Sequence, residues 1–305
     1  MRIVFNLQGV GLGNNGGSRT LIKCAETLQN LGEEVIISTA TNKYTWSEIN
    51  VDINNALLTC DVLMSTGYAS AKFATNWKAD KKFYYIRGYE TWNASDVELF
   101  ESYKSSECIV NSEWLRFYLK SNGIHSTLIY PGLDFEDFFP QKIERENIIG
   151  GLYNKRHKTK RHQEVEAICE KLGNKYQLRM LNRDLKDANS NQLREFYNSI
   201  KVWISPSELE GLHNCPMEAS LCGCVIVGTN HPRGGISDYA NQDTAKIYQA
   251  RNTSQAAEQV DELMNDSDLR KQLNDNMNNL LHTKIGDRKN NMTRMLKLFK
   301  GENLD

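Results

Sequence analysis

Short apolar, largely β-branched runs recur along this chain. Between them come stretches whose apolar positions repeat every three or four residues. In the first half the runs are 2–7, 35–38, 61–65, 82–86, 107–110 and 127–130; in the second they are 148–152, 177–181, 201–204, 224–227 and 244–248. Runs this short and continuous suit strands buried on both faces. The stretch 18–31 is a typical intervening segment, with Leu21, Ile22, Ala25, Leu28 and Leu31 on one helical face and Gly32 to stop it. A repeated strand–crossover pattern predicts an α/β fold built on mostly parallel sheets. The pattern is interrupted at 130–140, where Pro131, Gly132 and Pro140 read as a boundary. The length of 305 residues accommodates two domains of about 150 residues, each with its own core.

The formal net charge is −1, and no run of about 18 apolar residues or cleavable leader is present, so a soluble cytoplasmic protein is expected. The seven cysteines are scattered without a Cys-x-x-Cys pair, as reduced thiols would be. Cys215, Cys222 and Cys224 lack zinc-ligand spacing, so no metal is expected there.

The segment 205–227 carries the most chemistry. It lies between two strand-like runs, with Pro216 suited to the first position of a short helix and Gly223 to its left-handed stop. Glu210 leads the loop, and Glu218 follows in what reads as the first helical turn. A helix N-terminus offers free N–H groups and a positive dipole end to an anion. A solvated acid and a capping glutamate would look the same.

Residues 8–17 form a glycine-rich loop between a strand and a helix, and Gly11 to Gly16 match the spacing of a dinucleotide fingerprint. That site needs an acid at the end of the second strand, which here ends in Ser38, Thr39, Ala40 and Thr41. Dinucleotide site and plain turn therefore both stay open. Arg87, Tyr89 and Glu90 follow the carboxyl end of a central strand, where ligands bind in open sheets. Ser95 and Glu98 form a capping box. The basic loop 154–162 holds Arg156, Lys158, Lys160 and Arg161, suited to a diphosphate, to solvent or to a nucleic-acid backbone. Residues 1–140 carry 12 Lys and Arg against 16 Asp and Glu, and residues 141–305 carry 25 against 22. The acidic first half argues against nucleic acid as partner, unless a local patch overrides the average. His213 and His231 read as hydrogen-bonding loop residues.

Glu210-x7-Glu218, followed by Ala219 and Gly223-Cys-Val-Ile-Val227, resembles the donor-site signature of family-4 retaining glycosyltransferases. The resemblance implies the GT-B architecture, two Rossmann-like domains with parallel sheets facing a central cleft. An N-terminal acceptor-side domain would span 1–137 and a nucleotide-sugar-binding domain 138–288. A helix at 289–305, with Met292, Leu296 and Phe299 on one face, would dock back toward the first domain. The 130–140 segment resembles the family's connector.

By the same resemblance Glu210 lies by the transferred sugar and Glu218 holds the ribose. The main chain of Gly211, Leu212, His213 and Asn214 contacts sugar and diphosphate, and Gly16 and Gly17 lie over the diphosphate. Lys160 with Arg156 neutralises the leaving group, a role that a small shift would move to Lys158 or Arg161. Arg87, Tyr89 and Glu90 are the acceptor-side candidates; many relatives carry a histidine near this point that contacts the transferred sugar, and this chain has none there.

The implied activity is metal-independent hexosyl or pentosyl transfer, with retention, from a UDP- or GDP-type sugar. The acceptor would be a glycan, a lipid-linked glycan or another hydroxyl, a hydroxylated base being disfavoured. No cofactor is implied. A sugar-nucleotide epimerase, an NAD-dependent oxidoreductase and a non-catalytic sugar-nucleotide-binding protein are the alternatives.

Overall fold

A computed structural model describes residues 1–56, 59–155, 157–182 and 189–304. The chain divides into two compact units, one formed by Met1–Gly132 with the chain from Asp287 onward, the other by Leu133–Gly286.

The first unit runs β1 (Arg2–Asn6), α1 (Gly16–Asn30), β2 (Glu34–Ser38), β3 (Asp52–Asn54), β4 (Cys60–Ser65), α2 (Tyr68–Phe73), β5 (Ala79–Ile86), α3 (Asp96–Lys104), β6 (Glu107–Val110), α4 (Glu113–Ser121) and β7 (Ser126–Leu128). Among the described residues its sheet has seven strands in the order β3-β2-β1-β4-β5-β6-β7. All are parallel, with Ile3 opposite Val35 and Phe5 opposite Met64. The direction of winding reverses beside β1, so the glycine loop after β1 lies at a topological switch point. Helix α1 starts two residues earlier than its apolar pattern predicts, because the Asn15 side chain accepts from the Ser18 N–H at 2.8 Å and draws Gly16 and Gly17 into the first turn. Strand β3 and helix α2 are additional to the predicted elements.

The second unit runs β8 (Ile148–Tyr153), α5 (His162–Lys171), β9 (Gln177–Asn182), α6 (Ser190–Asn198), β10 (Val202–Ser205), α7 (Asn214–Leu221), β11 (Val225–Thr229), β12 (Lys246–Tyr248), α8 (Thr253–Asn265) and α9 (Ser267–Leu280). Its parallel sheet has the order β12-β11-β10-β8-β9 among the described residues. Here winding reverses between β8 and β10, and the loops leaving these neighbours are the basic loop and the Glu210 loop. Gly150 of β8 allows the close packing beneath them: a Cβ there would lie 2.4 Å from the Ile200 Cδ1 and 3.2 Å from the Trp203 ring.

Helix α7 begins at Asn214 rather than at Pro216, because His213 already has extended backbone and acts as the cap. Pro216 is then the third helical residue, where an amide would still lack an intrahelical acceptor. Glu218 falls in the second turn, not the first. Gly223, at φ +92°, supplies the expected left-handed stop.

The chain then returns to the first unit as α10 (Arg288–Lys300). Met292, Met295, Leu296 and Phe299 join a core that includes Ile3, Phe5, Leu21, Ile37 and Phe83. Lys81 Nζ donates to the Phe299 carbonyl at 2.7 Å.

Candidate functional site

Three loops of the second unit are joined at the carboxyl ends of its strands. Glu208 N donates to the Thr159 carbonyl at 2.9 Å, tying the β10 loop to the basic loop. Glu210 N donates to the Arg233 carbonyl at 2.8 Å and His213 N to the Gly235 carbonyl at 3.0 Å, tying it to the turn after β11. Gly235, at φ +74°, is required: a Cβ there would sit 2.5 Å from the Glu210 Cβ. A Cβ on Gly234 would sit 2.7 Å from the Ser207 carbonyl oxygen.

Against this backbone, Lys160 Nζ forms an ion pair with Glu210 Oε1, the side chains being 20% and 14% exposed. Burial works to raise the Glu210 pKa, but the charges of Lys160 and His213 and hydrogen bonds from Lys160 and Ser207 outweigh it and hold the carboxyl below its ordinary value. His213 is buried, with Nδ1 3.1 Å from Ser205 Oγ and Nε2 3.9 Å from Glu210 Oε1. Tyr239 OH donates to its carbonyl at 2.8 Å. Gly211, Leu212 and Asn214 belong to the same loop and the start of α7.

Glu218 on α7 is 4% exposed and accepts from Tyr197 OH at 3.2 Å. Arg145 locks the same region: its guanidinium donates to the carbonyls of Ile200 at 2.6 Å, Tyr197 at 3.3 Å and Cys222, and to Asn198 Oδ1 at 3.3 Å. It thereby caps the ends of α6 and α7 together.

The other basic-loop residues are placed differently. Arg161 turns the chain at φ +54° and pairs with Glu164 at 3.1 Å and Glu208 at 3.6 Å, while Arg251 pairs with Glu208 at 3.0 Å. Lys158 is exposed, and Arg156 lies outside the described residues. His231 accepts from the Arg233 N–H at 3.3 Å, a local turn bond.

In the first unit, Arg87 crosses the start of α1, donating from Nη1 to the Gly17 carbonyl at 2.9 Å and from Nη2 to the Thr66 carbonyl at 3.4 Å. A Cβ on Gly17 would lie 3.2 Å from Arg87 Nη1. Gly16 is the first residue of α1. Glu90 accepts from the Tyr68 N–H at 3.1 Å; its pKa is raised by burial, against the opposing pull of that bond and of Arg87. Tyr89 is only 1% exposed, donates to Asp96 Oδ1 at 2.6 Å and packs edge-on to Tyr118. It is a core residue under the loop, as its apolar ring favours.

The sequence reading thus finds Lys160, Glu210 and His213 in one cluster. It misses Tyr197, Arg145 and the receiving role of Gly234 and Gly235, for which the adjacent glycine pair was the available signal.

Two Rossmann-like units, each with an all-parallel sheet, have the architecture expected of a GT-B protein. Residues 137–279, nearly all of them within the second unit, match the family described as glycosyl transferases group 1. The capsular polysaccharide biosynthesis glycosyltransferase CapM of Staphylococcus aureus is 31% identical over 81 residues, 27% of this chain and 21% of CapM, so the match spans about a fifth of that relative's length. Among solved structures, Anabaena Alr3699/HepE in complex with UDP-glucose superimposes with a TM-score of 0.78 at 11% identity, covering 99% of this chain and 100% of that one. Sucrose-phosphate synthase from Thermosynechococcus elongatus does so with a TM-score of 0.77 at 12% identity, covering 99% and 98%. The resemblance to GT-B glycosyltransferases is borne out. Among the described residues no helix is long and apolar enough to cross a membrane.

Proposed function

We propose that this chain transfers a sugar from a nucleoside-diphosphate sugar to an acceptor hydroxyl, with retention and without a metal. The observation that carries the reading is the Lys160–Glu210 pair on adjoining loops at the switch point of the second unit, where the group 1 family matches. Lys160 is the cation for the diphosphate, which loses its glycosidic bond and gains negative charge as it leaves. Glu210, held ionised, faces the positive charge building on the sugar. Glu218, oriented by Tyr197, takes the ribose hydroxyls. In a same-face displacement the acceptor oxygen bonds to the anomeric carbon as the carbon–diphosphate bond breaks. The acceptor's proton passes to the departing diphosphate oxygen, so no second catalytic carboxylate is needed.

The UDP series is the first choice of donor, because HepE, which shares the fold, was solved with UDP-glucose. The dinucleotide reading loses support at the end of β2, where Ser38 Oγ accepts from Gln8 Nε2 at 2.9 Å and no acid is available for a ribose.

The test is a thermal-shift screen against nucleoside diphosphates, their sugar conjugates and nicotinamide cofactors, repeated with Glu218→Ala. A ligand at a hundred times its Kd adds about 2.7 kcal/mol of stability. Stabilisation by UDP or GDP compounds that the variant loses is the expected result; stabilisation by a nicotinamide cofactor alone refutes the reading. With a donor in hand, Glu210→Gln should lower kcat about tenfold or more while nucleotide affinity holds. Turnover of donor without acceptor would instead identify an epimerase.

A further inference from the structure

The first unit contains a cavity of about 350 Å³ at its own switch point, between the glycine loop, the start of α1 and the loop after β2. That volume is in the range of small-molecule sites. Its charged lining residues are Lys43 and Arg87, with Asn15, Ser18 and Thr41 as polar company and no Asp or Glu. In a half of the chain that carries more acids than bases, this is a local reversal of sign.

Both cations are brought there by the backbone. Leu12 N donates to the Thr41 carbonyl at 2.8 Å and Lys43 N to the Leu12 carbonyl at 2.9 Å, so the glycine loop and the β2 loop are stitched together with Lys43 at the seam. Gly11, at φ +78°, permits this approach: a Cβ there would lie 3.3 Å from the Thr41 carbonyl oxygen. The Lys43 side chain is exposed and makes no bond among the described residues.

Arg87 is anchored by two carbonyls but has no ion pair among the described residues, and its buried Nε–H has no acceptor. The charge of Glu90 acts on Arg87, but the two form no ion pair among the described residues. Two cations lining one cavity without an acid offer a carboxylate or phosphate the charge it needs.

We propose that this cavity seats an anionic group, a carboxylate or a phosphate, of the acceptor. Assigning that group to the acceptor rests on the transferase reading; anion binding itself does not.

Isothermal titration of the full chain at fixed ionic strength tests the proposal, with sodium glucuronate, inorganic phosphate and, as neutral control, glucose, each with and without saturating UDP. One anion should bind and glucose should not, glucuronate favouring a carboxylate-bearing acceptor and phosphate a phosphorylated one. UDP should not displace the anion, since by the transferase reading Lys160 and Glu218 of the second unit hold the nucleotide. Lys43→Glu should weaken anion binding about tenfold or more, and Arg87→Gln at least as much. Because Lys43 is exposed, its variant remains informative if Arg87→Gln does not fold. Anions binding no better than glucose, displacement by UDP, or indifference to Lys43→Glu would each overturn the proposal. If UDP fails to bind while the anion does so through Lys43, the donor reading fails and the anion site stands.

Discussion

The Lys160–Glu210 pair allows a quantitative test by a double-mutant cycle with Lys160→Met, Glu210→Gln and the double variant. Removing one partner of a fully buried pair costs about 3–5 kcal/mol, and exposed pairs are worth under about 1 kcal/mol. At 20% and 14% exposure this pair lies between, so a coupling of about 1–3 kcal/mol is expected at about pH 7 from urea denaturation. The pH dependence has a definite sign. Because the Glu210 carboxyl is held below 4.5 in the folded chain, its stabilisation is complete above that value and is lost as pH falls through the depressed one. The coupling should therefore be full near neutrality and shrink in acid. Effects that add to within about 0.3–0.5 kcal/mol at neutral pH, or a coupling that grows in acid, would refute the argument.

Gly235→Ala should destabilise the second unit by about 2–4 kcal/mol, from left-handed backbone and a clash with Glu210, and weaken nucleotide binding measured by isothermal titration with UDP. Unchanged affinity would show that the turn does not set the loop. Arg145→Met should lower Tm by an amount equivalent to about 3 kcal/mol, because buried carbonyls at the ends of α6 and α7 lose their donor; a neutral result would contradict the capping role. Tyr197→Phe removes the bond to Glu218 and should cost about 1 kcal/mol together with a few-fold in nucleotide affinity. Loss of stability without loss of affinity would separate Glu218 from the ribose.

The central strands could be read from the sequence because parallel strands buried on both faces are uninterrupted apolar runs; Ile3 to Phe5 and Val225 to Val227 are fully covered. Capping chemistry was equally local, as Ser95 with Glu98 shows. Strand β3 and helix α2 were missed because an edge strand of three residues and a helix of six carry too little periodic signal. Glu210 stood out by its spacing from Glu218. Lys160 stood out as a cation of the basic loop, but its pairing with Glu210 did not, and Gly235 went unread, since both reach Glu210 only through the sheet order; nothing near Arg145 in the chain announces that it will bind carbonyls after residue 196. Tyr89 was misjudged for the opposite reason: its position beyond a strand end pointed to the crevice, while its ring was needed in the cluster with Phe100 and Tyr118.

Helix α10 carries a consequence for the order in which this protein is made. Its four apolar side chains complete a core whose other members are encoded before residue 133. A Cβ on Gly132 would lie 2.3 Å from the Arg288 Cα, so the two crossing points touch backbone to backbone. During synthesis the first unit must wait, with Ile3, Phe5 and Leu21 incompletely covered, while the whole second unit emerges and folds. A ribosome stalled within the second unit would hold a nascent chain whose first unit still lacks α10, with the apolar side chains that this helix covers left open.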